Sequence, residues 1–419
     1  MNLDALKGWT PAQKHVVAAS FLGWMLDAFD YFLLVFVIND VAKEFHTKVG
    51  SVTIALLLTL AFRPLGAFIF GRLADRYGRR PILMIDVAIY SVLAFATAFS
   101  PSLTIFLILR ALFGIAMGGE WGVGASLTME SVRAESRGFV SGLLQSGYPC
   151  GYLVASIVFA VLYPHIGWRG MFMVGIVPTL LILYVRRSVP ESPGWQPQAP
   201  SLGGTAAVLR RHWQLALYAI VLMTAFNFFS HGTQDLYPTF MQTQRHFDHG
   251  TVSVIAIVYN IGAIIGGLAF GMLSQRYGRR RMIVIGALLS ILAAPLWAFA
   301  PTAALLGLGA FLMQVFVQGC WGIIPAHLNE ISPPEARATF PGTVYQLGNF
   351  IAASNANLQL LIAGAFAGAY SIAMALVAVA AAIVIAILAS FGGEARDAPL
   401  GAGQGAESVP AASKRLAME

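Results

Sequence analysis

His231 and Asp235 stand four residues apart in the stretch NFFSHGTQDLYPT, residues 227–239. On a helix that spacing stacks the two side chains on one face, where an imidazole and a carboxylate can share a proton. Asn227 lies one turn earlier on the same face, and Ser230, Thr233 and Gln234 add further polar groups. The stripe from Asn227 to Asp235 is roughly 12 Å long at 1.5 Å rise per residue. The run around it, from about Trp213 to Met241, is otherwise apolar. A central charge in a membrane-spanning helix costs ~2.5–3.5 kcal/mol on insertion scales, so such groups usually face a cavity and carry function. The stretch reads as a ligand-facing wall.

Other ionisable groups in apolar runs point to an anion. Arg63 precedes Pro64 near the middle of a second such run, with no acid within four residues of it. Its planar fork suits a carboxylate held by two hydrogen bonds. The competing expectation is a structural ion pair with Asp27 or Asp30 of the first run. A buried His–carboxylate pair can titrate near neutral pH, which makes His231–Asp235 the first candidate for proton coupling. Asp27, Asp30 and Glu120 are reserve carriers, each able instead to pair with Arg63 or Arg110. Gln346 and Asn349, one turn apart, can donate to a substrate oxygen or join packed helices by hydrogen bonds.

The elements that position these residues follow from composition. Charged residues make up 11% of the chain and hydrophobic residues 58%, against about 25% charged in soluble domains. Apolar runs long enough to span a bilayer are expected near 14–41, 49–73, 82–99, 103–129, 138–162, 169–187, 213–242, 250–274, 282–300, 303–329, 338–362 and 367–391. The fold class is therefore all-α, with twelve transmembrane helices. The first run is too long for a signal-peptide core and is expected to be retained. Cys150 and Cys320 both fall in spans and give no disulfide or metal pattern.

The chain divides into a six-helix bundle at 1–187, a Pro/Gly-rich cytoplasmic linker at 188–212, a second bundle at 213–391, and a small, polar tail at 392–419 expected to be disordered. Of the 26 Lys and Arg residues, twenty fall on the side of the N-terminus, four (Lys43, Lys48, Arg169 and Arg245) on the other, and two, Arg63 and Arg110, inside spans. That bias places both termini in the cytoplasm and makes the net charge of +7 a topology signal rather than a nucleic-acid one.

The halves repeat. GRLADRYGRRP (71–81) and GMLSQRYGRRR (271–281) match at seven of eleven positions, 200 residues apart. At the same offset Glu130 matches Glu330, Arg137 matches Arg337 and Asp27 matches Asn227. Duplication of a six-helix unit marks a transporter whose halves rock about a central site. Gly71, Asp75, Arg76, Gly78 and Arg79, with the pairs Glu130…Arg137 and Glu330…Arg337, are expected to form a conformational latch. Asp75 would lie against a helix N-terminus or an Arg of the facing half, and Gln275 in the second copy makes the latch asymmetric.

The 71–81 segment and its repeat resemble the loop motif of the major facilitator superfamily. RALFGIAMGG (110–119) is similar to its fourth-span motif, and PESPGW (190–195) resembles the segment after span six in many members. NFFSHGTQDLYPT is similar to the Asn-x-x-Ser/Thr-His-x-Ser/Thr-Gln-Asp signature of lactate and pyruvate permeases, in the branch shared with bacterial sialic acid transporters. The resemblance implies the major facilitator fold, with two pseudo-symmetric six-helix bundles. It also implies carboxylate–proton symport, with Arg63, His231, Asp235, Gln346 and Asn349 tied to substrate recognition.

The expected function is inward symport of a short monocarboxylate, such as lactate or pyruvate, with a proton. Arg63 would clamp the carboxylate, and Asn227, His231, Gln346 and Asn349 would meet its other oxygens. The partners are the small carboxylate, the proton as coupling ion and the lipid bilayer, with no organic cofactor, metal or nucleic acid. A monomer should suffice, in a bacterial inner membrane. A larger acid, such as sialic acid or an aromatic carboxylate, is the nearest rival. A non-transporting nutrient sensor is less expected because the short tail and loops offer no signalling domain, and a membrane enzyme less still because the sequence offers no nucleophile–base pair, metal cluster or nucleotide loop.

Overall fold

A computed structural model describes residues 8–196, 207 and 210–400. The expected residues 197–206, 208–209 and 401–419, within the linker and tail, lie outside the described residues. The helices of the first half are α1 (Pro11–Glu44), α2 (Val49–Tyr77), α3 (Arg79–Thr97), α4 (Leu103–Ser131), α5 (Arg137–Val174) and α6 (Thr179–Ser188). Those of the second are α7 (Trp213–Gln234), α8 (Tyr237–Thr243), α9 (His249–Tyr277), α10 (Arg279–Phe299), α11 (Ala303–Trp321), α12 (Ile324–Ile331), α13 (Thr339–Ala352), α14 (Asn355–Ala365) and α15 (Tyr370–Phe391). Among the described residues, ten helical stretches are long and apolar enough to cross a membrane. Two further segments, 168–188 and 339–365, are each interrupted by a turn and complete the twelve crossings.

Local chemistry sets where the helices begin and break. Thr10 and Gln13 form a capping box with Pro11 at the first turn of α1, which satisfies amides that lack intrahelical partners. Ser102, Asp248 and Thr302 cap α4, α9 and α11 by accepting from the backbone N–H three residues on. Gly78 and Gly278, with φ of 106° and 100°, turn α2 into α3 and α9 into α10, a conformation open to glycine at little cost. Gly167, with φ of 61°, separates the fifth and sixth crossings inside α5. Pro149 instead sits in continuous helix, and neighbouring Gly151 lets α5 lie against the backbone of Met25. The seventh crossing breaks at Asp235–Leu236, between α7 and α8.

Leu57, Leu183, Leu292, Leu361 and Phe391 are among the many large apolar side chains left exposed on the outside. So extensive an apolar exterior is stable only against lipid. The chain is a multi-pass membrane protein.

The two halves meet along α5–α9 and α2–α13. At the end that carries the basic loops, glycines remove the last spacing between them. A Cβ on Gly142 would come within 2.2 Å of the Gly267 carbonyl, and one on Gly71 within 2.6 Å of Thr339 Cα. Residues 392–400, expected as the start of a disordered tail, instead pack across this closed end. Arg137 and Arg337 donate to the carbonyls of Ala398, Pro399 and Leu400, and Leu400 is buried.

Candidate functional site

The polar stripe of α7 faces α13. His231 Nδ1 lies 3.2 Å from Asp235 Oδ1, and its Nε2 lies 3.2 Å from Asn349 Oδ1. Asn349 Nδ2 continues to Gln346 Oε1 at 3.4 Å. Four of the sequence candidates therefore form one chain, Asp235–His231–Asn349–Gln346, across two helices. Both ring nitrogens face oxygen acceptors, an arrangement that an imidazolium satisfies in full. A neutral imidazole has one donor, so it keeps both contacts only if the Asn349 amide turns its NH₂ toward Nε2. Proton occupancy at His231 is thereby linked to the orientation of Asn349, and through it to Gln346.

The pair is more open than the sequence suggested. The His231 and Asp235 side chains retain 29% and 39% of their accessible surface, so the expectation of a buried pair is corrected. The break after Gln234 places Asp235 at the helix end instead of mid-helix. Asn227 does not join the chain, because its amide donates back to the Met223 carbonyl at 2.8 Å. Ser230, Thr233 and Gln234 bond to Gln314 and Gln318 of α11, so their part is helix packing. Gln359 does the same from α14, donating to the Gly232 carbonyl.

Arg63 stands in α2 on the opposite half, within electrostatic reach of His231. Its Nη2 lies 3.8 Å from Asp27 Oδ2, and the guanidinium sits over the Tyr31 ring at 5.4 Å, a cation–π contact. The ion pair with Asp27 is long, and Arg63 Nε and Gln346 Nε2 are buried without a hydrogen-bond partner among the described residues. Buried donors left unpaired cost about 1–3 kcal/mol each, so an anion with two oxygens would be favoured beside them. Trp24, Trp121, Trp321 and Tyr345 pack edge to face or tilted across both halves, forming an aromatic floor. The sequence reading missed Tyr31 and Tyr345; an aromatic in an apolar span carries no distinguishing signal.

The remaining acids of the first half take different places. Asp30 lies within electrostatic reach of Arg110, whose guanidinium is 3.8 Å from the Phe113 ring centroid. Glu120 makes no hydrogen bond among the described residues and packs against Gly23. Asp86 of α3, absent from the sequence candidates, is likewise fully buried and unpartnered; an acid inside the third apolar run was the available signal.

At the basic end, Asp75 accepts from Ala338 N (2.9 Å), Thr339 N (3.0 Å) and Thr339 Oγ1 (2.6 Å). The carboxylate thus caps α13 of the facing half, where its charge meets the positive end of the helix. Arg79 joins Asp75 (3.1 Å) to Glu130 (3.0 Å). In the second copy Gln275 accepts from Gly138 N at 3.1 Å, at the start of α5, and Arg279 binds Glu330 through two bonds of 3.0 and 2.9 Å. The geometry is repeated with one charge missing.

The expected partners Glu130…Arg137 and Glu330…Arg337 are replaced by these arginines. Arg137 faces Glu330, and Arg337 faces Glu130, across the halves. Arg76 lies over the neighbouring Tyr77 ring, 4.8 Å away, and Gly78 supplies the turn that seats Glu191. That residue, in the PESPGW segment, accepts from Arg79 N at the start of α3. Glu394 accepts from Arg280 N at the start of α10, a correspondence that residue spacing did not reveal.

Comparisons with known proteins agree with this architecture. A model described as Major Facilitator Superfamily matches residues 20–248, and one described as Sugar (and other) transporter matches 215–391. The Carboxylic acid transporter protein homolog of Saccharomyces cerevisiae is 28% identical over 82% of this chain, a match that covers 60% of the yeast protein's length. The sialic acid transporter NanX of Escherichia coli is 26% identical, covering 81% of this chain and 84% of its own. Among solved structures, a double-Trp mutant of XylE superposes with a TM-score of 0.73 at 18% identity, covering 93% of this chain and 97% of its own.

Proposed function

The chain belongs to the Major Facilitator Superfamily, and from that premise we propose that it carries a short monocarboxylate of the lactate or pyruvate type, together with a proton, into the cell by alternating access. It is a transporter, not an enzyme, in keeping with the names of its relatives. The observation that carries the reading is His231 held between Asp235 and Asn349, facing the arginine of the other half. A protonated His231 and Arg63 together attract a carboxylate. Proton loss removes one positive charge and releases the Asn349 amide to turn, weakening the hold.

Substrate would bind with one carboxylate oxygen on Arg63 and the other near Gln346 Nε2, displacing Asp27 from its long ion pair. The bias of the basic loops supports a cytoplasmic closed end, which would make this an outward-facing form with His231 and Asp235 reachable from outside. Both termini would be cytoplasmic in a bacterial inner membrane. A monomer contains the whole site.

A larger organic acid is the second reading, favoured by the sialic acid, cis,cis-muconate and niacin transporters among the relatives. Competition decides between them. Uptake of labelled L-lactate into proteoliposomes should be blocked by excess pyruvate and little affected by sialic acid or muconate. No lactate uptake, with labelled sialic acid or muconate taken up by the same vesicles, would reject the monocarboxylate assignment.

A further inference from the structure

Away from the basic end, four carboxylates and two guanidiniums are buried among the described residues of the first half. Asp27, Asp30, Asp86 and Glu120 are each at most 1% exposed, and Arg63 and Arg110 at most 3%. Arg63 pairs with Asp27, and Arg110 is the cation whose charge acts on Asp30, with no hydrogen bond between them among the described residues. Two acids remain. Asp86 has Glu120 and Asp27 as its charged neighbours, both negative, and Glu120 feels the charge of Asp27 more than that of Arg63. None of the four Asp86 and Glu120 oxygens receives a hydrogen bond among the described residues.

Two adjoining anions cannot persist in such a place. Each ionised carboxylate would cost several kcal/mol to desolvate, and like charges side by side forbid joint ionisation. Protons remove the difficulty. The surroundings are built for hydroxyl chemistry: Tyr90 Oη and Ser20 Oγ are fully buried and unpartnered. Tyr90 lies within electrostatic reach of all four acids, and Ser20 Oγ and Glu120 Oε1 both border Gly124. From α6 the contact near Glu120 is the apolar Leu181. Closer to the basic end, His15 of α1 bonds Tyr184 of α6 at 2.7 Å.

Depth orders the acids. Counting from the basic ends of α3, α4 and α1, Asp86, Glu120 and Asp27 lie about 10, 16 and 24 Å in along their helices. The last of them touches the candidate substrate arginine.

We propose that Asp86 and Glu120 form a proton-holding carboxyl pair inside the first bundle, and that this pair exchanges protons with Asp27. When a substrate carboxylate takes Arg63, Asp27 loses its cation and accepts a proton from the open side; Asp86 then releases its proton to the basic side, Glu120 passes its proton to Asp86, and Asp27 passes its own to Glu120 as Arg63 returns to it. No bond other than O–H is made or broken. The coupling role rests on the proposed symport, but proton occupancy of the pair does not.

The test is infrared spectroscopy of the purified protein in lipid nanodiscs, without substrate. The wild type should show a protonated-carboxyl C=O band at neutral pH, and Asp86→Asn and Glu120→Gln should each reduce or shift it. A band absent from the wild type, or unchanged in both variants, overturns the proposal. If the variants do not fold, carbodiimide labelling of the wild type serves instead. Modification of Asp86 or Glu120 at neutral pH, found by peptide mass spectrometry, is expected; both staying unlabelled would overturn the proposal, as would sodium ions abolishing the band or the labelling. Failure of lactate uptake with the band intact rejects the substrate assignment and leaves the pair standing.

Discussion

Replacing Asp75 by asparagine should unlatch the basic end. The carboxylate accepts three hydrogen bonds from Ala338 and Thr339 of the facing half, and it is nearly buried, so solvent screens little of the interaction. Hydrogen bonds to a charged group contribute ~1.5–3 kcal/mol each. Asparagine keeps the shape, but one oxygen becomes an NH₂ that meets a backbone N–H instead of accepting from it. The charge on the α13 dipole and the Arg79 pair are lost as well. A loss of about 3 kcal/mol from the closed form changes the equilibrium on the order of 100-fold. An open population of ~1%, within the usual range for a minor state, would then rise to about half. Spin labels at Tyr77 and Tyr277, both exposed at the basic end, would report it by pulsed electron resonance in a cysteine-free background. A longer-distance population should appear in Asp75→Asn. A distance distribution unchanged from the parent, in folded protein, would refute the latch.

Three further outcomes are expected. Gly142→Leu places a side chain where the Gly267 carbonyl leaves no room, so the same label pair should show the closed form lost or the protein destabilised; an unaltered closed population would contradict the packing. Leu400→Asp puts a charge where the chain end packs beneath Arg337, and should lower the thermal midpoint or the closed population, as read by melting and by the label pair. His231→Gln keeps hydrogen bonding without a titratable proton, so lactate affinity, measured by calorimetry, should lose the weakening on raising pH that the wild type is expected to show. Equal pH dependence in both would exclude His231 as the proton sensor.

Much of the site was legible because helical spacing carries it. His231 with Asp235, and Gln346 with Asn349, are pairs whose separations fix a shared face, and the structure adds only that the two faces meet. Asp75 was readable as a helix cap because a lone acid before a Gly turn, repeated as Gln275, implies a partner outside its own helix. Asn227 stays outside the Asp235–His231–Asn349–Gln346 chain for a matching reason: an asparagine in a span can donate to its own backbone four residues back, as here to Met223, and spacing does not show which choice it makes. The break at Asp235–Leu236 has a local cause in Pro238, which lacks the N–H that would bond the Gln234 carbonyl; the contacts of Tyr237 with the Trp297 and Leu306 carbonyls, 60 and 69 residues away in sequence, are not legible locally. Docking of residues 392–400 rests on arginine side chains from both halves, which no local composition reveals. Arg79 and Arg279 replaced Arg137 and Arg337 as partners of the repeated glutamates because the turn after Gly78 and Gly278 swings them beneath those residues.

The most direct test of the central claim is uptake of labelled L-lactate into proteoliposomes with and without an inward proton gradient, for the wild type and Arg63→Ala. Uptake that rises with the gradient and disappears in the variant is the predicted result. Wild-type uptake indifferent to the gradient, or Arg63→Ala transporting at the wild-type rate, would contradict proton-coupled carriage of a carboxylate held by Arg63.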